Sequence, residues 1–187
     1  MISRSTLTGY LSSKIGLWEI DEAVFPHAVE QLKPKIVVLT NLFRDQLDRY
    51  GEIDTLAKKW QKALKKLSSK TAVILNADDP IVASLGKTLC CRVIYFGIKD
   101  KSLGSKSLSH ASDADLCPYC LLPLNYQTCF VSHLGIYKCP KCGAIQPKTN
   151  IYCQKAKFQK SKIQVKTNQL SLTINSPGQY NIYNALA

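Results

Sequence analysis

Four cysteines carry the most specific chemical signal in the chain: Cys117-Pro-Tyr-Cys120 and Cys139-Pro-Lys-Cys142. Two residues between the members of each pair let one tight turn aim both thiolates at a single ion. Two such turns complete a tetrahedral sulfur cage, so Cys117, Cys120, Cys139 and Cys142 are the expected ligands of a structural zinc. A closed cage leaves no open position for a reacting water. It marks scaffold, and reaction chemistry belongs elsewhere. Cys90, Cys91, Cys129 and Cys153 lack that spacing and read as packed or idle thiols. His133, His27 and His110 read as surface histidines.

A second set of residues could handle a nucleotide and its metal. Acids and amides gather after apolar runs: Glu19, Asp21 and Glu22; Asn41, Asp45 and Asp48; Asn76, Asp78 and Asp79. In parallel sheets ligands bind beyond the carboxyl ends of the strands. A rim of carboxylates there suits magnesium, which takes a few oxygen ligands plus substrate phosphates. The same residues also suit helix N-termini, and Asp78-Asp79-Pro80 has the form of a cap followed by proline in the first turn. Spacing alone leaves both readings open. Gly86-Lys87-Thr88 imitates the end of a phosphate-binding loop, but Ile81 stands where the motif needs its first glycine.

The elements that must position these residues alternate in the first half. Leu17–Ile20 reads as a short strand ending in acids, and Ala23–Leu32 as a helix stopped before Pro34. Ile36–Thr40, Ala72–Leu75 and Val93–Phe96 are β-branched runs typical of buried parallel strands. Between them Leu56, Trp60, Ala63, Leu64 and Leu67 recur at helical spacing, with Asp54 as the expected cap. Trp60 is expected in the core and Trp18 against the sheet. Strands alternating with helices imply a parallel sheet covered on both faces. Asp100–Asp115 reads as a linker, and Tyr126–Tyr137 as a hairpin around Gly135. Ile163–Val165 and Leu170–Ile174 alternate like half-exposed antiparallel strands. Tyr180–Ala187 reads as the start of a helix.

Composition sets outer bounds. The chain has 187 residues, 45% hydrophobic and 20% charged, enough for one core plus a small satellite. No run of about 18 apolar residues predicts a membrane span. Met1–Thr6 leads into no apolar signal-peptide core, and thiols at metal spacing point to a reducing cytoplasm. A formal net charge of +12 favours anionic partners: nucleic acid, lipid headgroups or phosphorylated small molecules. A basic zinc ribbon that binds nucleic acid, or a non-catalytic interaction piece, is therefore the rival expectation. Against the former, Lys138 and Lys141 are the only basic residues between the outer cysteines.

Several segments resemble the central domain of Mur ligases, in family order. They are Trp18–Ala23, Leu39–Glu52, Asn76–Pro80 and Gly178–Ala187. The chain is most similar to the MurT-type branch, the ligase-like subunits of lipid II isoglutaminyl synthase, which carry a four-cysteine insertion in this domain. The resemblance implies an α/β fold: a mostly parallel sheet flanked by helices over 1–115 and 143–187, with a zinc ribbon inserted at 116–142. It implies ATP-dependent activation of the D-glutamate carboxylate in the lipid II stem peptide, and a GatD-like glutaminase partner that supplies ammonia. By motif match, Glu19 corresponds to a magnesium-binding glutamate. Asn41 and Asp45 lie in the loop near the phosphates and metal. Asn181 and Asn184 fall in the asparagine motif that touches the adenine of ATP. Gln46 stands where amino-acid-adding Mur ligases carry histidine, as it does in MurT-like chains. The family's phosphate loop and C-terminal domain are not recognisable here, so the chain by itself is expected not to hydrolyse ATP.

Overall fold

The computed structural model describes residues 15–43, 52–105 and 115–187. Asp45, Gln46 and His110 lie outside them. Three strands of the expected β-branched runs form parallel pairs: β1 (Ile36–Leu39), β2 (Ala72–Asn76) and β3 (Arg92–Ile98). Between β3 and the next sheet strand the chain makes a separate hairpin, β4 (Asn125–Val131) and β5 (Leu134–Lys138). It then returns as β6 (Ile151–Phe158), parallel to β3. From β6 onward the pairing switches to antiparallel through β7 (Ile163–Thr167) and β8 (Ser171–Ile174). The main sheet therefore has six strands in the order β1-β2-β3-β6-β7-β8.

Period-two alternation places the helices. Val37, Leu39, Val73 and Leu75 are buried on one face. There they pack with α1 (Phe25–Leu32), α2 (Glu52–Leu64) and α3 (Pro80–Leu85). Trp60 is buried as expected, 5.1 Å from the Phe25 ring, and its indole N–H donates to the Glu22 carbonyl at 2.9 Å. The other face takes Phe96, Ile98, Cys153, Ile163 and Val165, covered by α4 (Tyr180–Leu186). Phe130 and Leu134 of the hairpin join that same cluster. The hairpin that carries the cysteine module is thus keyed into the main core.

Four local expectations need correction. Leu17–Ile20 forms no strand; residues 15–21 run without regular structure, and Trp18 is 43% exposed. A short run with three apolar residues becomes a strand only where a neighbouring ladder accepts its backbone. α2 begins at Glu52, so Asp54 sits inside its first turn, where a carboxylate still favours the positive helix end. β1 is an edge strand with Ile36 and Val38 60% and 39% exposed, so among the described residues its second face is open. The hairpin turns at Ser132, in the left-handed region at φ 48°, rather than at Gly135.

One glycine is required by packing. A Cβ on Gly97 would stand 2.4 Å from Asp78 Oδ1, and this absence of a side chain lets the carboxylate reach the β3 backbone. Gly97→Ala is expected to destabilise the fold by about 1–3 kcal/mol, the usual cost of overpacking a closed core. Denaturant titration beside the wild type measures it; an unchanged midpoint contradicts this account of the close approach.

Candidate functional site

The carboxyl ends of β1 and β2 are stapled to each other by side chains of Asn76-Ala77-Asp78-Asp79-Pro80. Asn76 Nδ2 donates to the Thr40 carbonyl at 2.7 Å, and Asp79 Oδ2 accepts the Leu42 N–H at 2.9 Å. Asn41 therefore sits, half-buried, between two fixed backbone points. The second oxygen of Asp79, Oδ1, accepts from Ile81 and Val82 N–H at 2.9 and 3.1 Å and caps α3, with Pro80 following the cap. The capping reading of this motif is correct for Asp79.

Asp78 is fully buried beside it. Its Oδ2 accepts the Ile98 N–H and the Tyr183 hydroxyl, both at 2.8 Å, while Oδ1 accepts the Gln146 amide. Burial pushes the Asp78 carboxyl up to about 7; the Ile98 N–H, the Tyr183 hydroxyl and Gln146 oppose that rise, and Asp79 adds to it. Burial also drives the Tyr183 phenol well above its usual range. From the hairpin, the Gly135 N–H donates to the Asp78 carbonyl at 2.9 Å, and His133 Nε2 lies 3.3 Å from Asp79 Oδ2. His133 is fully buried, against the surface position expected from sequence. A polar contact with a side chain 54 positions away leaves no local signal. Tyr183 and Gln146 escape sequence reading for the same reason.

The family-derived residues are distributed around this pair. Asn181 Nδ2 donates to the Pro177 carbonyl at 2.6 Å and the Ser176 hydroxyl at 3.2 Å, and Asn184 Nδ2 to Asn181 Oδ1 at 3.5 Å. The two asparagines share the outer side of α4, whose inner side sends Tyr183 to Asp78. Asn41 joins the same region through its neighbour Leu42. Glu19 stands exposed in the stretch before α1, and among the described residues no hydrogen bond or ion pair links it to Asn41 or the asparagine pair. Gly86–Thr88 forms a short 3-10 turn directly after α3, not a loop following a strand, and so makes no phosphate cradle.

The four expected thiols do converge. The sulfurs of Cys117, Cys120, Cys139 and Cys142 all lie within 4.8 Å of one another, with Cys117–Cys142 and Cys120–Cys139 each at 3.5 Å. A tetrahedron with metal–sulfur bonds of about 2.3 Å has edges of about 3.8 Å, so the donor set fits a zinc-sized ion. Both pairs use one backbone device. The Cys117 N–H bonds the Leu122 carbonyl and the Leu121 N–H bonds the Cys117 carbonyl; Cys139, Ala144 and Gly143 repeat the pattern. The fifth residue of each turn is left-handed, Leu121 at φ 59° and Gly143 at φ 73°. The Cys142 N–H points at Cys139 Sγ and helps bring that thiol down to about 6, whereas burial pushes Cys117 up to about 12.

Comparison with known proteins decides the family. Residues 15–136 match the Mur ligase middle domain. The chain belongs to the Mur ligase family. Across all of its length it is 34% identical to the Streptococcus pneumoniae "Lipid II isoglutaminyl synthase (glutamine-hydrolyzing) subunit MurT". It is 33% identical over 94% of its length to the subunit of the same name from Staphylococcus aureus. A UDP-N-acetylmuramate–L-alanine ligase of Desulforamulus reducens matches 40% of the chain at 38% identity. A pseudomurein peptide ligase type C from Methanothermus fervidus superposes on 86% of the chain with a TM-score of 0.65 and 26% identity. This Mur ligase domain spans 41% and 39% of the lengths of the two MurT relatives.

Two outcomes follow from the site. Protein purified with zinc is expected to hold about one ion per chain, and Cys117→Ser with Cys139→Ser to reduce that to near zero with a lowered melting temperature. Elemental analysis beside a thermal scan measures both; retained metal in the double variant contradicts the four-sulfur assignment. For Asp78, the folded state keeps its proton up to about pH 7, while the unfolded chain releases it near 3.8. Its contribution is therefore full below about pH 4 and declines as pH rises to 7, by up to about 4 kcal/mol. The stability difference between wild type and Asp78→Asn is expected to shift in that direction between pH 4 and 7 and to be flat above. A difference that grows in the wild type's favour with rising pH reverses the assignment.

Proposed function

We propose that this Mur ligase domain forms part of a MurT-like ligase subunit, whose complete protein activates the D-glutamate carboxylate of the lipid II stem peptide for amidation. The observation that carries this reading is the span of the similarity: the MurT relative matches the chain from end to end, cysteine module included, whereas the L-alanine ligase relative matches only part. In the proposed reaction the carboxylate oxygen attacks the γ-phosphorus of ATP, and the bond to ADP breaks. Ammonia from a glutaminase partner then adds to the acyl carbon and expels phosphate, leaving the amide. A carboxylate is a poor acceptor for ammonia because its oxygen is a poor leaving group; phosphorylation supplies a good one.

Within that scheme the chain's residues bind and orient. Asn41, held between the Thr40 and Leu42 anchors, offers an amide at the strand-end rim, and Asp45, outside the described residues, follows it four positions later in the sequence. Asn181 and Asn184 present paired amides on α4, a group able to donate to and accept from a purine edge. Glu19 supplies an exposed carboxylate as an oxygen ligand for magnesium, which would offset repulsion between the substrate carboxylate and the phosphates when bound. Zinc held by Cys117, Cys120, Cys139 and Cys142 is structural, since four sulfurs close its coordination.

The test uses the full-length subunit with its glutaminase partner. ADP release is expected to depend on both lipid II and glutamine. Asn181→Ala is expected to raise the KM for ATP several-fold, in line with one lost hydrogen bond of about 1 kcal/mol. Residues 1–187 alone are expected to show no turnover, since Gly86–Thr88 forms a 3-10 turn and not a phosphate cradle. ADP release indifferent to lipid II overturns the substrate assignment, and turnover by the isolated chain overturns the account of the cradle.

A further inference from the structure

We propose that His133 is a positioning residue: through Asp79 it holds the Leu42 amide, and with it the backbone beside Asn41, in place. Asp79 spends Oδ1 entirely on the α3 cap. Its Oδ2 is shared by two donors, the Leu42 N–H at 2.9 Å and His133 Nε2 at 3.3 Å. In this proposal the His133 ring carries its hydrogen on Nε2, the nitrogen that faces Asp79 Oδ2. The His133 ring also meets Phe43 edge-on, with centroids 4.9 Å apart, so the hairpin tip touches the strand-end loop directly as well as through Asp79.

The hairpin holds the acid pair twice. Two residues from His133, the Gly135 N–H bonds the Asp78 carbonyl at 2.9 Å. A histidine serving only as filler requires volume. This one is fully buried and aims Nε2 at the oxygen that fixes a rim amide. The base of the hairpin is set by the cysteine cluster, because Cys139 directly follows the last residue of β5. The four-thiol centre is thereby connected to the strand-end rim by one short, packed hairpin. Only the bearing of this on ATP chemistry rests on the function proposed above; the positioning itself does not.

Amide hydrogen exchange of Leu42, followed by NMR in the full chain, tests it directly. His133→Leu keeps the bulk and removes the donor; His133→Gln keeps a donor. His133→Leu is expected to accelerate Leu42 exchange about tenfold or more relative to the Val73 amide in β2, the scale of a lost hydrogen bond to a charged group. His133→Gln is expected to stay close to wild type. Equal acceleration in both variants, or none in either, overturns the proposal. Should His133→Leu fail to fold, the wild type decides: a slowly exchanging hydrogen on Nε2 supports the proposal, and one on Nδ1, or rapid exchange at Nε2, overturns it. In the full-length subunit, His133→Leu is expected to raise the KM for ATP with His133→Gln restoring it. Loss of the ligase reading removes that last effect and leaves the Leu42 result standing.

Discussion

Two adjacent carboxylates without exposed surface, Asp78 and Asp79, set the terms for the rest of the molecule. A buried carboxylate is tolerated only where donors replace its water shell. Here those donors come from the loop after β1, the start of α3, strand β3, the β4–β5 hairpin, the segment at Gln146 and α4. Segments as far as 105 positions apart meet because these oxygens need partners. Gly97 removes the side chain that would block the approach. The pair organises the carboxyl ends of the parallel strands, the end of an open α/β sheet at which ligands generally bind.

The cysteine module takes its meaning from this arrangement. On spacing alone it is scaffold for an attached ribbon, and the four converging sulfurs suit a closed metal site. Yet Phe130 and Leu134 bury in the main core, and His133 and Gly135 engage the two acids. The ribbon is a brace whose far end reaches the strand-end rim. Leu121 shows how firmly its geometry is imposed: a leucine that is 64% exposed adopts the left-handed conformation that the matching turn gives to Gly143. Left-handed backbone costs a residue with a Cβ roughly 1–2 kcal/mol, so the turn, not the residue, dictates the shape.

What the sequence discloses and what it hides divides along physical lines. β1, β2 and β3 are legible because β-branched runs of that length suit buried parallel strands; β7 and β8 because their alternation is regular; the thiol cluster because ligand spacing is local. β6 is not legible. A bulge between Cys153 and Lys155 puts its buried residues, Cys153 and Ala156, three positions apart, which erases the period-two pattern. Leu17–Ile20 misleads because an apolar run cannot report whether a ladder awaits it. The acid motif is legible as a cap at Asp79, but its second role at Asp78 depends on Gln146, 68 positions away, and on Tyr183. Within the asparagine-rich ending the amides draw attention, while the tyrosine between them makes the buried contact.

The long connection between β3 and β6 has a bearing on how quickly the chain can reach this state. The Tyr95 N–H bonds Asn150 Oδ1 across 55 positions, a costly closure for parallel pairing to await. A metal bridging Cys117 and Cys142 would short-circuit 25 of those positions. The remaining path would be nearly halved, lowering the entropy of closure by roughly 0.5 kcal/mol. An ion held there would thus shorten the chain that the parallel pairing of β3 with β6 has to close.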